Sequence, residues 1–129
     1  MMSLIDVITN ENDALHGKGS SEKDISMAEE LLGLMFSEEY REYLKAFTIA
    51  AINGIELTGL SKSKRVNVVL VTRNQRKLNP LIPKDWYVVE EANIDGIILW
   101  QNDTGAVFQS VPGMDIIKVA DSIVEYLDR

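Results

Sequence analysis

Apolar residues recur at helical spacing through the first half of the chain. One set follows Ser20 and Ser21, either of which can cap a helix, and comprises Ile25, Ala28, Leu31 and Leu32. A second set follows Ser37 and comprises Tyr40, Tyr43, Leu44 and Phe47. Gly33 can adopt the left-handed conformation that ends a helix, and Ser37 can accept from the free N–H groups that open the next one. The pattern predicts a helix–turn–helix hairpin.

The residues before this hairpin have a mixed character. Residues 4–8 are predicted to form a short helix capped by Ser3, and residues 10–20 a polar loop that contains the single histidine, His16. The length of 129 residues suits one domain over residues 1–129. Within it, residues 1–19 are a candidate mobile N-terminal arm.

The second half of the chain has the short apolar runs and turn sequences of strands. Asn53-Gly54 is a turn signal, and four predicted strands cover residues 55–60, 86–90, 97–101 and 106–111. The last three form an antiparallel meander. From Asp115, helical spacing predicts a closing helix that ends at Leu127. Helices, then strands, then a helix indicate the α+β class.

The segment that begins at Val66 fits two structures. Its β-branched residues favour a strand, whereas Asn67 could cap a helix that continues without a breaker to Leu78. Propensity alone slightly favours the strand.

The charge is unevenly distributed. The chain has a net charge of −7, which disfavours nucleic acid and anionic membranes as partners. Residues 62–84 nevertheless contain seven basic and no acidic side chains. This basic segment is either a solvated face that offsets acidic neighbours or a local anion-binding patch.

Few residues suit catalysis or metal binding. There is one histidine, no cysteine and no phosphate-binding loop, so we expect no enzyme, no cofactor and no metal site. Residues 93–96 and 102–105 faintly resemble calcium loops, but hairpin turns use the same residue types. The absence of cysteine fits the cytoplasm. We expect no secretory signal and no membrane span, because the N-terminus lacks a basic region and the apolar runs are short.

Several short motifs, in order, resemble the SUKH superfamily. They are Leu32-Gly33, Phe36-Ser37, Tyr40-Arg41, Tyr43-Leu44, Asn53-Gly54-Ile55, Leu57-Thr58-Gly59-Leu60 and a closing set from Ile117 to Leu127. Ser37 stands where the family usually has proline, and Ile55 stands where a second glycine often follows. The resemblance implies an α+β fold with a mostly antiparallel central sheet flanked by helices. It also implies that residues 67–77 form a helix and that residues 117–127 belong to a closing helix.

The resemblance further implies a protein-binding function. Its bacterial members are largely immunity proteins that neutralise a cognate toxin, often a nuclease, and other members are regulatory scaffolds. An acidic surface would complement the basic groove of a nuclease. The candidate contacts are Trp86, Glu90, Glu91, Asp95 and Asp103, chosen for their charge, their turns and the possibility of an open sheet face. The alternatives are a regulatory scaffold without a toxin and a nucleic-acid binder that acts through residues 62–84.

Overall fold

A computed structural model describes residues 2–11 and 14–128 and has the predicted α+β architecture. Its helices are α1 (Leu4–Asn10), α2 (Glu22–Leu32), α3 (Glu38–Ala46), α4 (Val68–Leu78) and α5 (Ile123–Leu127), with a short 3-10 turn at Lys64–Val66. Its strands are β1 (Leu15–His16), β2 (Ala50–Ile52), β3 (Ile55–Leu57), β4 (Tyr87–Glu91), β5 (Ile98–Gln101), β6 (Val107–Ser110) and β7 (Ile117–Ala120).

The helical hairpin is confirmed, together with both of its caps. Ser37 Oγ accepts from Tyr40 N–H at 3.0 Å and caps α3. Gly33 ends α2 with a φ of 68°, the left-handed conformation that the sequence predicts. A contact beyond the sequence signals also fixes the turn, because the buried Glu29 carboxylate accepts from Phe36 N–H at 2.8 Å.

Helix α4 settles the ambiguous segment. The preference for a strand was wrong, and the helix implied by the resemblance is present. Asn67 Oδ1 accepts from the backbone N–H groups of Val69 and Leu70, at 3.0 and 3.2 Å, and caps the helix. Its buried side chains are Val68, Val69, Val71 and Thr72. A cap and a buried face together outweigh the β-propensity of these residues.

The strands form two antiparallel sheets. The smaller has the order β1-β2-β3 and the larger β4-β5-β6-β7. Thr58 N–H, just after β3, donates to Val89 O of β4 at 2.9 Å and joins the sheets. Within the larger sheet, β4, β5 and β6 pair consecutively and antiparallel, so the predicted meander is present. The strand predicted at residues 55–60 ends at Leu57, and β2 was not predicted.

The predicted closing helix is wrong in its first half. Ile117–Ala120 forms β7, which pairs antiparallel with β6, so the helix begins only at Ile123. Ser122 provides its cap, since Ser122 Oγ accepts from Glu125 N–H at 3.0 Å. Ile117 and Val119 are β-branched, which favours a strand. The otherwise unpaired edge of β6 also provides their backbone with hydrogen-bond partners, and helical spacing in the sequence does not reveal such a distant partner.

The N-terminal segment contributes to the core. Leu4 and Ile8 of α1 are buried in the main apolar cluster, and β1, which lies in the predicted polar loop, pairs with β2. The mobility of residues 1–19 stays a prediction. Residues 12 and 13 of the predicted polar loop lie outside the described residues.

Candidate protein-binding surface

The larger sheet has two faces with different surroundings. Its inner face carries Tyr87, Leu99 and Val107, which lie in the main core with α1, α2 and α3. Its outer face carries Val88, Ile98 and Trp100, which form a second cluster with Val71 of α4 and with Ile82. Successive side chains of a strand point to opposite faces, so the sheet builds two separate apolar layers.

Helix α4 anchors the outer cluster at β4. Thr72 Oγ1 accepts from Val88 N–H at 3.0 Å, which ties the helix to the strand. Trp100 is fully buried, and its indole N–H donates to Ser110 Oγ at 2.9 Å. The outer layer is closed around β4 and β5.

Away from α4, the outer face is open to solvent. Trp86 and Phe108 stack there with ring centroids 4.0 Å apart and planes inclined by 14°. Both are only partly buried, as is Ile116, which packs against the same cluster. Aromatic side chains with an exposed part are frequent anchors at protein interfaces.

A groove of about 680 Å³ lies between the C-terminal end of α4 and the loops of the larger sheet. It is lined by Gln75, Leu78, Asn79, Leu81, Gly96, Ile98, Ser110, Val111, Pro112, Gly113, Met114, Asp115 and Ile116. Leu78, Leu81 and Met114 are 72%, 87% and 70% exposed. Three strongly exposed apolar side chains around one concavity are typical of an interaction site.

Three of the five candidate contacts lie on or beside the outer face. Trp86 forms the stack described above, and Glu91 accepts from Nε2 of Gln75, a groove residue, at 2.6 Å. Asp95 is exposed in the β4–β5 turn, where it adopts a φ of 54° next to Gly96 of the groove wall.

The other two candidates lie elsewhere. Glu90 is 6% exposed and accepts from the Tyr126 hydroxyl of α5. Burial raises the pKa of the Glu90 carboxyl, and the hydrogen bond from Tyr126 partly opposes that rise. Asp103 is exposed in the β5–β6 turn, at the opposite end of these strands from Asp95. The five residues therefore do not form a single contact surface.

The arginines of the basic segment 62–84 bind within the fold. Arg65 forms a bidentate pair with Glu56, at 2.7 and 2.8 Å. Arg73 donates to Leu31 O at 3.0 Å, and Arg76 donates to Leu32 O at 3.2 Å and to the loop after α4. Cations are stabilised at a helix C-terminus, so two arginines cap α2. These contacts support the interpretation of the segment as a face that offsets negative charge.

A buried polar network joins α3 to the larger sheet. The Tyr87 hydroxyl accepts from Ser37 N–H at 3.0 Å and donates to Gln101 Oε1 at 2.6 Å. Gln101 Nε2 donates to Glu39 Oε1 at 2.9 Å, and the Glu39 carboxylate accepts from Ile123 N–H at 2.8 Å. Burial raises the pKa of the Tyr87 hydroxyl well above its usual range, so this group stays protonated. The network connects α3, β4, β5 and α5 and contains no histidine.

No motif or spacing in the chain indicates this network or the groove directly. Gln101 is the last residue of a strand whose side chains are all buried, but in the sequence it follows the apolar run and precedes Asn102 and Asp103, so its position suggests a turn rather than a buried site. Leu78, Leu81 and Met114 fall near element ends, where scattered apolar residues are common.

Two further properties concern metals and membranes. Within residues 2–11 and 14–128, no three His, Cys, Asp or Glu side chains come together as a possible metal site. None of the helices in the described part of the chain has the length and apolar character needed to span a bilayer.

The fold and this surface define a small α+β domain that has an apolar core, one buried polar network and an open apolar groove. The family model described as "SMI1-KNR4 cell-wall" (SUKH_5) matches residues 1–129, and the chain belongs to this SUKH family. The family includes immunity proteins and cell-wall regulators, and its members act through protein–protein interaction. No curated protein matches the chain.

Proposed function

We propose that this protein is an immunity protein, which neutralises a bacterial protein toxin such as a nuclease by stoichiometric binding. The observation that carries the proposal is the open groove on the outer face of the larger sheet, with its exposed Leu78, Leu81 and Met114. A partner that covered these side chains would remove a sizeable apolar surface from water.

The charge of the chain supports a basic partner. A net charge of −7 would attract a nuclease, whose substrate groove is positively charged, and would speed the encounter. Bound in this way, the protein would block the access of nucleic acid to the toxin. No group in this chain has to act as a catalyst for such neutralisation.

The test is co-expression of this protein with the product of the neighbouring open reading frame in a bacterial host. We expect that product alone to stop growth, and the wild-type protein to restore growth and to co-purify in a one-to-one complex. Leu81→Glu should weaken the rescue. Leu31→Glu, a matched change at an exposed leucine of α2 outside the groove, should not.

Two results would contradict the proposal. One is a toxic neighbour that the wild-type protein neither binds nor neutralises. The other is a bound neighbour that is harmless when expressed alone, which would favour the alternative function of a regulatory scaffold.

A further inference from the structure

The groove beside the C-terminal end of α4 has apolar walls and acidic surroundings. Asp115 is the only charged side chain among its lining residues. Asp95 directly precedes Gly96 of the wall, and the Glu91 carboxylate accepts from Gln75 of the wall at 2.6 Å. Three carboxylates thus lie in or next to one concavity whose lining contains no lysine or arginine.

The basic residues of α4 beside the groove do not line it. Arg76 and Lys77 stand between the lining residues Gln75 and Leu78 in the sequence, but neither belongs to the groove wall. Arg76 points towards the end of α2 and the loop after α4, since it donates to Leu32 O and Lys84 O. The groove therefore presents apolar contact area and negative charge together.

The apolar side chains of the groove are free for a partner. Leu78, Leu81 and Met114 are more than two-thirds exposed, so they contribute little to the packing of the domain. The position of the wall is nevertheless defined: a Cβ on Gly96 would lie 2.9 Å from Pro112 Cγ, so the β4–β5 turn rests directly on the loop before β7. Contact between two loops gives the groove a preformed end.

We infer that this groove binds a segment of a partner protein in which aliphatic side chains are flanked by lysine or arginine. The inference rests on the proposed protein-binding function and specifies the chemistry of the bound segment. The aliphatic side chains would pack against Leu78, Leu81 and Ile116, and the flanking cations would lie near Asp95 and Asp115. Apolar anchoring supplies affinity, and charge complementarity supplies selectivity.

The experiment is a nuclear magnetic resonance titration of the full-length, ¹⁵N-labelled chain with short synthetic peptides. The first peptide has leucines flanked by lysines. The second has the same leucines flanked by glutamates, and the third has the same lysines with serines in place of the leucines. We expect the first to shift the amide signals of Gly96, Ser110 and Gly113, and the other two to bind at least about tenfold more weakly.

Two pairs of variants locate the site. Leu81→Glu should weaken binding of the first peptide by about tenfold or more, whereas Leu31→Glu on α2 should leave it unchanged. Asp115→Asn should weaken binding and reduce its dependence on salt, whereas Asp103→Asn, at the other end of the sheet, should not. All four changes are at exposed positions, and the amide spectrum reports whether each variant is folded.

Several outcomes would overturn the inference. They are no binding of the first peptide, equal binding of the serine peptide, signal shifts confined to other faces, or a Leu81→Glu variant that binds normally. Failure of toxin neutralisation is a separate result, because the peptide titration needs no toxin. Specific peptide binding with a harmless neighbouring gene would retain the groove and reject the immunity function.

Discussion

The Tyr87 hydroxyl allows a quantitative test of the buried network. Tyr87→Phe keeps the ring, which packs edge-on against Phe36 with centroids 4.8 Å apart, and removes only the oxygen. The backbone N–H of Ser37 then loses its acceptor, and Gln101 Oε1 loses one of its two donors. The variant therefore isolates the hydrogen bonds of one buried group.

The size of the effect follows from these two losses. An unsatisfied buried N–H costs about 1–3 kcal/mol, and a lost hydrogen bond about 1 kcal/mol, so we expect a loss of about 2–4 kcal/mol. With a urea m-value of about 2 kcal/mol per molar, the unfolding midpoint should fall by about 1–2 M. Equilibrium unfolding in urea, followed by circular dichroism, measures this shift.

Tyr40→Phe is the matched control. Tyr40 is also fully buried, and its hydroxyl donates at 2.8 Å to Thr58 Oγ1, which itself donates to Val88 O. Its removal leaves no N–H group without an acceptor, so the expected loss is about 1 kcal/mol. The reasoning would be refuted if Tyr87→Phe were neutral, or if the two variants lost the same stability.

Three further predictions concern other parts of the molecule. Gly96→Ala should lower the free energy of unfolding by about 1 kcal/mol more than Gly113→Ala, as measured by thermal or urea unfolding. Both glycines have a positive φ, but only a Cβ at Gly96 contacts Pro112. Equal losses of stability would contradict the importance of this contact. The raised pKa of Glu90 means that the folded state holds this proton more tightly than the unfolded state, so the contribution of Glu90 to stability falls as pH rises above its pKa in the unfolded chain. The stability of Glu90→Gln relative to wild type, measured by urea unfolding, should therefore increase from pH 4 to pH 7. A pH-independent difference would exclude the effect. Filter binding at low salt should detect no binding of nucleic acid by the protein, whereas salt-sensitive retention of nucleic acid would support binding through residues 62–84.

Local signals predicted the helical hairpin correctly. Gly33, Ser21 and Ser37 end and begin helices through bonds to residues within four positions, so the sequence contains most of the necessary information. Asn67 caps α4 in the same local way, but in the sequence alone this signal did not outweigh the β-propensity of the segment. The family resemblance was needed there, because propensity and capping pointed in opposite directions.

Features that depend on distant partners were not predictable in the same way. β7 forms because β6 offers an unpaired edge, and its own residues also fit a helical stripe. The network between Ser37 and Gln101 joins residues 64 positions apart, and nothing local marks either as a partner of the other. The groove needs α4 and three loops to be placed before it exists.

The adjacent carboxylates Glu90 and Glu91 show why a binding surface requires the register of its strands. The register of β4 against β5 shifts between Val88 and Glu90, after which Glu90 lies opposite Leu99 and Glu91 opposite Ile98. Glu90 therefore shares the inner face with Leu99, where α5 covers it, and Glu91 shares the outer face with the groove residue Ile98. A shift of one residue would exchange these roles, burying Glu91 and placing Glu90 beside the groove. Charge and turn position alone could not distinguish the two, so only the second of this pair is a credible contact for a basic partner.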